Sequence, residues 1–207
     1  WPKVQYLWKQ HPLFTWVNDK GGLLYGRGEA PFVGIPDKMK PEETIFIVTG
    51  SIPNKRSTPL VDEWFGLQYE NGIFVKSLSM NELLAHTGFR STKIPNSASL
   101  TEADVAAAER LLPDAVEHAK KYLDGYYQSY QSHINPLLDE ELDKLAELET
   151  RHKYYQLSLF ESERKKSEQE RMVDELFDKF TTWVTDTMSI QNNPYIRIMA
   201  VMKGVTR

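Results

Sequence analysis

The chain has 207 residues, 41% of them hydrophobic and 26% charged, and a net charge of −4. That is enough apolar material for one large domain or two small ones, and too little positive charge for the whole to be a nucleic-acid binder. The absence of cysteine excludes disulfides and thiolate metal sites, and no apolar run approaches the roughly 20 residues of a membrane helix, which together fit a cytoplasmic location. The first residue, Trp1, is not methionine and suggests a fragment of a longer protein.

Taken in order, Leu13 to Leu24 reads as an amphipathic helix after His11-Pro12, ended by Gly21-Gly22. Ala30 to Ile35 reads as a Pro-flanked edge strand. Thr44 to Thr49 is β-branched and aromatic, the composition of a buried strand. A loop carrying Lys55-Arg56 follows, then a longer strand from Leu60 to Glu70. Asn71-Gly72 predicts a type I′ hairpin turn, whose two central residues need positive φ, with Ile73 to Leu78 returning antiparallel. Ser79 and Glu82 form a capping box for a short helix ending at Gly88. Residues 89–99 are rich in Ser, Asn and Pro and read as a surface loop.

Thr101 to Asp104 starts a second helix. Pro113 permits a fresh start, and helix predominates from Asp114 to about Gln191. Asn135-Pro136 reads as a cap or a kink, and the charged run Glu161 to Glu170 as a turn or solvated helix. Leu138, Leu142, Leu145, Tyr155 and Leu159 make one apolar stripe. Val173, Leu176, Phe177, Phe180, Trp183, Val184 and Met188 make a second, read as core. Tyr195 to Met202 reads as a last strand. The expected fold is α+β: a mostly antiparallel sheet of four or five strands, a long helical hairpin, and a final strand returning to the sheet. By sequence, 1–100 holds the N-terminal helix and meander and 101–207 the hairpin and closing strand, the two expected to form one compact unit.

Few residues suggest chemistry. Asp62-Glu63 are adjacent in a strand, so their carboxylates point to opposite faces and do not converge. Glu149 and His152 have the Glu-x-x-His spacing of di-iron bundles, but no second copy is present. The five histidines show no paired ligand spacing, and no Gly-x-Ser-x-Gly elbow occurs. No catalytic, cofactor-binding or metal residue is therefore expected. Two contact surfaces are candidates. Tyr122, Tyr126, Tyr127 and Tyr130 lie on neighbouring helical positions and suit a protein partner as well as a core. Lys55, Arg56, Arg164, Lys165 and Lys166 could meet phosphates, although Glu161, Glu163, Glu168 and Glu170 counter the last three.

The order of elements resembles the C-terminal region of bacterial Swi/Snf-type helicase-like ATPases. The resemblance rests on His11-Pro12, Thr44 to Val48, the Pro59 to Gln68 strand, Leu137 to Leu148 and Ile196 to Met202. Ile52-Pro53-Asn54-Lys55-Arg56, followed by a Trp-bearing strand, belongs to the same pattern. The phosphate loop of such motors is missing, and Lys203-Gly204 stands in the wrong order for one. The resemblance thus implies a non-catalytic accessory module, with ATP and magnesium bound by the parent motor. It implies as partners the rest of that ATPase, RNA polymerase or another protein, or DNA, and no membrane.

Overall fold

In the computed structural model, residues 12–13, 16–17, 20, 30–36, 38–89, 100–157 and 162–206 are described. The elements are β1 (Phe32–Pro36), β2 (Glu43–Pro53), β3 (Pro59–Glu70), β4 (Ile73–Ser79), α1 (Met80–Thr87), α2 (Glu102–Leu157), α3 (Glu163–Met188) and β5 (Tyr195–Val205). The five strands form one sheet in the order β1-β5-β2-β3-β4. The α+β class, the long helices and the returning last strand are as the sequence predicts. The sheet is mixed, however: β5 pairs parallel to β1, with Phe32 opposite Val201 and Pro36 opposite Val205. A parallel neighbour needs a long crossover, and the two long helices that precede β5 supply the necessary length.

Local chemistry accounts for the meander. Asn71 and Gly72 both have positive φ, 52° and 76°, as a type I′ turn requires. β3 and β4 are antiparallel, Glu70 opposite Ile73, with a register shift at Gln68/Tyr69 that leaves Val75 as the extra residue of a bulge. At α1 the Ser79 hydroxyl accepts from the Glu82 amide, and the Glu82 carboxylate accepts from the Ser79 amide at 2.8 Å. Gly88 closes that helix in the left-handed conformation at φ 72°.

Contacts divide the chain into two compact units that interleave in sequence. One comprises Trp1–Val48, Phe65–Leu112 and Ile198–Arg207; the other comprises Thr49–Trp64 and Pro113–Arg197. In the first, Ile35, Met39, Ile45, Leu78, Leu83 and Met202 form a buried cluster. Phe46 and Tyr69, both fully buried, meet edge to face at 5.5 Å. Burying each such ring contributes about 2–3 kcal/mol. Gly204 passes so close to the backbone of Met39 and Lys40 that any Cβ there would overlap the Lys40 carbonyl.

In the second unit, Ala115, Ala119 and Leu123 are buried on α2, and Leu123 covers Gly50. α2 and α3 form a helical hairpin. Lys153 pairs with Asp174 at 2.5 Å, and the His152 and Phe177 rings lie 6.1 Å apart, so the helices run in opposite directions.

Two expectations are corrected here. Thr101 to Asp104 does open a helix, with the Thr101 hydroxyl accepting from the Asp104 amide at 3.3 Å, but Pro113 starts no new one; at Asn135-Pro136 the cap alternative fails and the alternative of one long helix stands. One 56-residue helix contains both prolines. Each proline removes one amide, freeing the carbonyls of Glu109 and Ser132, and both of those residues are exposed, so water can serve the carbonyls. The second stripe is also not wholly core. Val173 is buried and Phe177 and Val184 are half-buried, but Leu176, Phe180 and Trp183 are 47, 49 and 52% exposed. The described residues of the Leu13 to Leu24 helix are helical, whereas the loop at 90–99 lies outside the described residues.

Candidate functional site: the helical hairpin and its surroundings

The hydrophobic residues of α3 spread wider than one stripe. A helix turns roughly 100° per residue, so Val173, Phe177 and Val184 fall on one side while Met172, Leu176, Phe180 and Trp183 fall about a quarter-turn away. The first set is turned inward. The second is a solvent-facing row, and Leu176, Lys179, Phe180 and Trp183 line a shallow concavity of about 320 Å³. On α2, Leu148 and Tyr155 are likewise exposed, by 50 and 64%. The first apolar stripe therefore loses Tyr155, which stands outside rather than inward.

The tyrosines predicted as a contact surface are only partly open. Tyr122, Tyr126, Tyr127 and Tyr130 are all half-buried along α2. The Tyr122 and Tyr126 hydroxyls lie 3.3 Å apart, with ring centroids at 5.4 Å. Burial pushes the Tyr130 phenol above its ordinary value. Tyr127 lies in a groove of about 410 Å³ with Ile52, Leu123, Asn193 and Pro194, and Lys120 and Lys121 also line it.

The predicted phosphate contacts are not brought together as one patch. Lys55 and Arg56 are exposed on the β2–β3 loop, which Asn54 shapes: its side-chain oxygen accepts from the Arg56 and Thr58 amides, both at 2.9 Å. Its amide nitrogen donates to the Thr187 carbonyl at 2.8 Å. Lys55 pairs with Asp186 at 3.3 Å. Arg164, Lys165 and Lys166 occupy the first turn of α3, where Lys166 pairs with Glu163 at 3.0 Å. The helix N-terminus and these cations both favour an anion, and the Lys166–Glu163 pair offsets part of that field.

One cluster escaped the sequence reading. Glu43, almost fully buried, accepts at one oxygen from His86 Nε2 at 2.5 Å and from Gln68 Nε2 at 2.6 Å. Its other oxygen accepts from the Lys40 amide at 3.3 Å. The members are far apart in sequence, so no local motif announces them; the only signal is a glutamate opening an apolar strand. Chemically the cluster anchors α1 to the sheet. It joins a carboxylate, an imidazole and a side-chain amide in one hydrogen-bonded group.

Among the described residues, no group of three or more His, Asp or Glu side chains is placed to hold a metal ion, and no helix is long and apolar enough to cross a membrane. No protein-family model matches the sequence, and no curated protein matches it.

Proposed function

We propose that the chain is a protein-interaction module whose working surface is the outer face of the α2–α3 hairpin. The observation that carries this reading is the row Met172, Leu176, Phe180 and Trp183, all about half exposed on one side of α3. Large aromatic and aliphatic side chains cost solubility when left in water, and a contiguous row of them is the usual mark of a protein contact. Together with the sequence resemblance, this favours a non-catalytic accessory module of a Swi/Snf-type ATPase. The hairpin docks on the motor or on a protein that the motor serves, and so biases its activity.

The DNA-contacting alternative has less support. Of its candidate cations, Lys55 and Lys166 already face carboxylates, and paired charges release fewer counterions on binding a phosphate backbone. Activity as an enzyme is not part of the proposal, since among the described residues no nucleophile, base and oxyanion donor converge at the hairpin or at the Glu43 cluster.

The test is the ATPase rate of the full-length parent, with and without nucleic acid, comparing wild type with Trp183→Glu and with removal of residues 1–207. The reading expects both changes to alter the rate, its nucleic-acid dependence, or recovery of the parent's complex. If removal changes none of these, the accessory role is wrong.

A further inference from the structure

We infer that the outer hairpin face pairs with a second copy of this chain, forming a two-fold symmetric four-helix bundle. The inference rests on the interaction reading above and names the occupant of that same face.

Three observations converge on it. First, exposed apolar side chains from both helices share one side, although Tyr154 of α2 points elsewhere. On α2 the half-buried positions Leu138, Leu142, Leu145 and Glu149 mark the inward side, and Leu148 and Tyr155 lie roughly 100° around from it. On α3 the row Met172, Leu176, Phe180 and Trp183 is displaced by a similar angle in the same rotational sense from Val173 and Phe177. Because the helices are antiparallel, equal rotations carry both sets to one face of the hairpin. The Lys153–Asp174 pair falls on the opposite face, as the same geometry requires.

Second, the area suits a second hairpin. An aromatic side chain buries about 150–250 Å² when fully covered, so six half-exposed side chains offer roughly 600 Å² per copy. A stable protein interface takes about 800 Å² from each partner, and the polar rim can supply the difference.

Third, the charges beside the apolar rows cancel: four cations, Lys144, Arg151, Arg171 and Lys179 of the concavity, stand against four glutamates, Glu140, Glu141, Glu147 and Glu175. Lys144 pairs with Glu140 and Glu141, Arg151 with Glu147, and Arg171 with Glu175. A rim with no net field attracts no strongly charged partner and raises no like-charge barrier against itself. An isologous interface needs that self-compatibility, because each patch meets its own image. Packing two hairpins face to face is the ordinary construction of a four-helix bundle.

Sedimentation velocity of this chain decides the matter. The expected result is a reversible monomer–dimer equilibrium with a dissociation constant in the micromolar range. Phe180→Glu should weaken the dimer roughly a hundredfold, because symmetry buries the new charge in both copies. Its circular dichroism should match wild type, since Phe180 is exposed in the single chain. Asp178→Lys, on the other side of α3, should leave the equilibrium unchanged. A chain that stays monomeric to its solubility limit overturns the inference, and so does a dimer indifferent to Phe180→Glu. A monomer whose Trp183→Glu variant still disturbs the parent ATPase overturns this inference alone. A dimer that Phe180→Glu dissociates with no effect on the ATPase supports it, and counts against the accessory role.

Discussion

Replacing Glu43 tests whether the buried polar cluster holds α1 on its sheet. Its carboxylate accepts from His86, Gln68 and the Lys40 amide, and is almost fully removed from water. Hydrogen bonds to a charged group contribute about 1.5–3 kcal/mol each, and a buried amide left unpaired costs about 1–3 kcal/mol. The Gln68 side-chain oxygen has no partner among the described residues, so Glu43→Ala leaves that amide bonded at neither end. Against this stands the relief of desolvating the carboxylate, which lowers the sum. The expected loss is about 3 kcal/mol for Glu43→Ala. It is about 1–2 kcal/mol for Glu43→Gln, which keeps the volume and an acceptor for Gln68. His86→Ala should cost less than Glu43→Ala, because the His86 side chain is 36% exposed and water can replace it. Urea unfolding of wild type, both alanine variants and the double variant gives the coupling directly. The pair predicts that His86→Ala costs little more once Glu43 is gone. Full additivity, or a Glu43→Ala loss under about 1 kcal/mol, would refute the reasoning.

Three further outcomes follow from particular contacts. Gly204→Ala should destabilise by about 3 kcal/mol or more, since its methyl group would meet the Lys40 carbonyl, which is backbone and cannot swing aside; thermal unfolding reads this, and an unchanged midpoint would show that the close approach is wrong. Pro136→Ala should stabilise the chain by about 1–3 kcal/mol, because it restores an amide and removes a ring clash inside α2; a loss instead would mean that the proline is needed there. Ser79→Ala should cost about 1 kcal/mol at neutral pH, read by denaturation. The Ser79 hydroxyl, then its amide, holds Glu82 below the usual carboxylate value, so that contribution is present above the unfolded value of about 4.3 and fades as the pH falls through the lower folded one. The difference between Ser79→Ala and wild type should therefore shrink on acidification, and a gap that widens in acid would contradict the sign.

How far the sequence could be read depended on how local each signal was. Asn71-Gly72, Ser79 with Glu82, and the β-branched run opening at Thr44 act within a few residues, and each produced the predicted turn, cap or strand. Pro113 misled, and Pro136 left a cap and a continuous helix both open, because a proline's cost depends on whether water can reach the freed carbonyl, which is a property of the surroundings. The second helical stripe misled for a related reason. Periodicity says that Leu176 and Phe177 are both apolar, but only the position of α2 decides which one is covered. The cluster around Glu43 depends on pairings across 25 and 43 residues, which no spacing rule could reveal. The tyrosines of α2 lie between these cases, with a legible row but a half-burial that only the fold determines.

The strand order has a consequence for synthesis. β5 lies between β1 and β2, yet it begins at Tyr195, long after β2 has ended at Pro53. At about 5–20 residues per second, roughly seven to thirty seconds pass with the inner edge of β2 unpaired. That edge belongs to Ile45, Phe46, Ile47 and Val48, a segment suited to pairing with any passing strand. The nascent chain therefore passes through its most association-prone state while the hairpin helices are being made, and the arrival of β5 ends it.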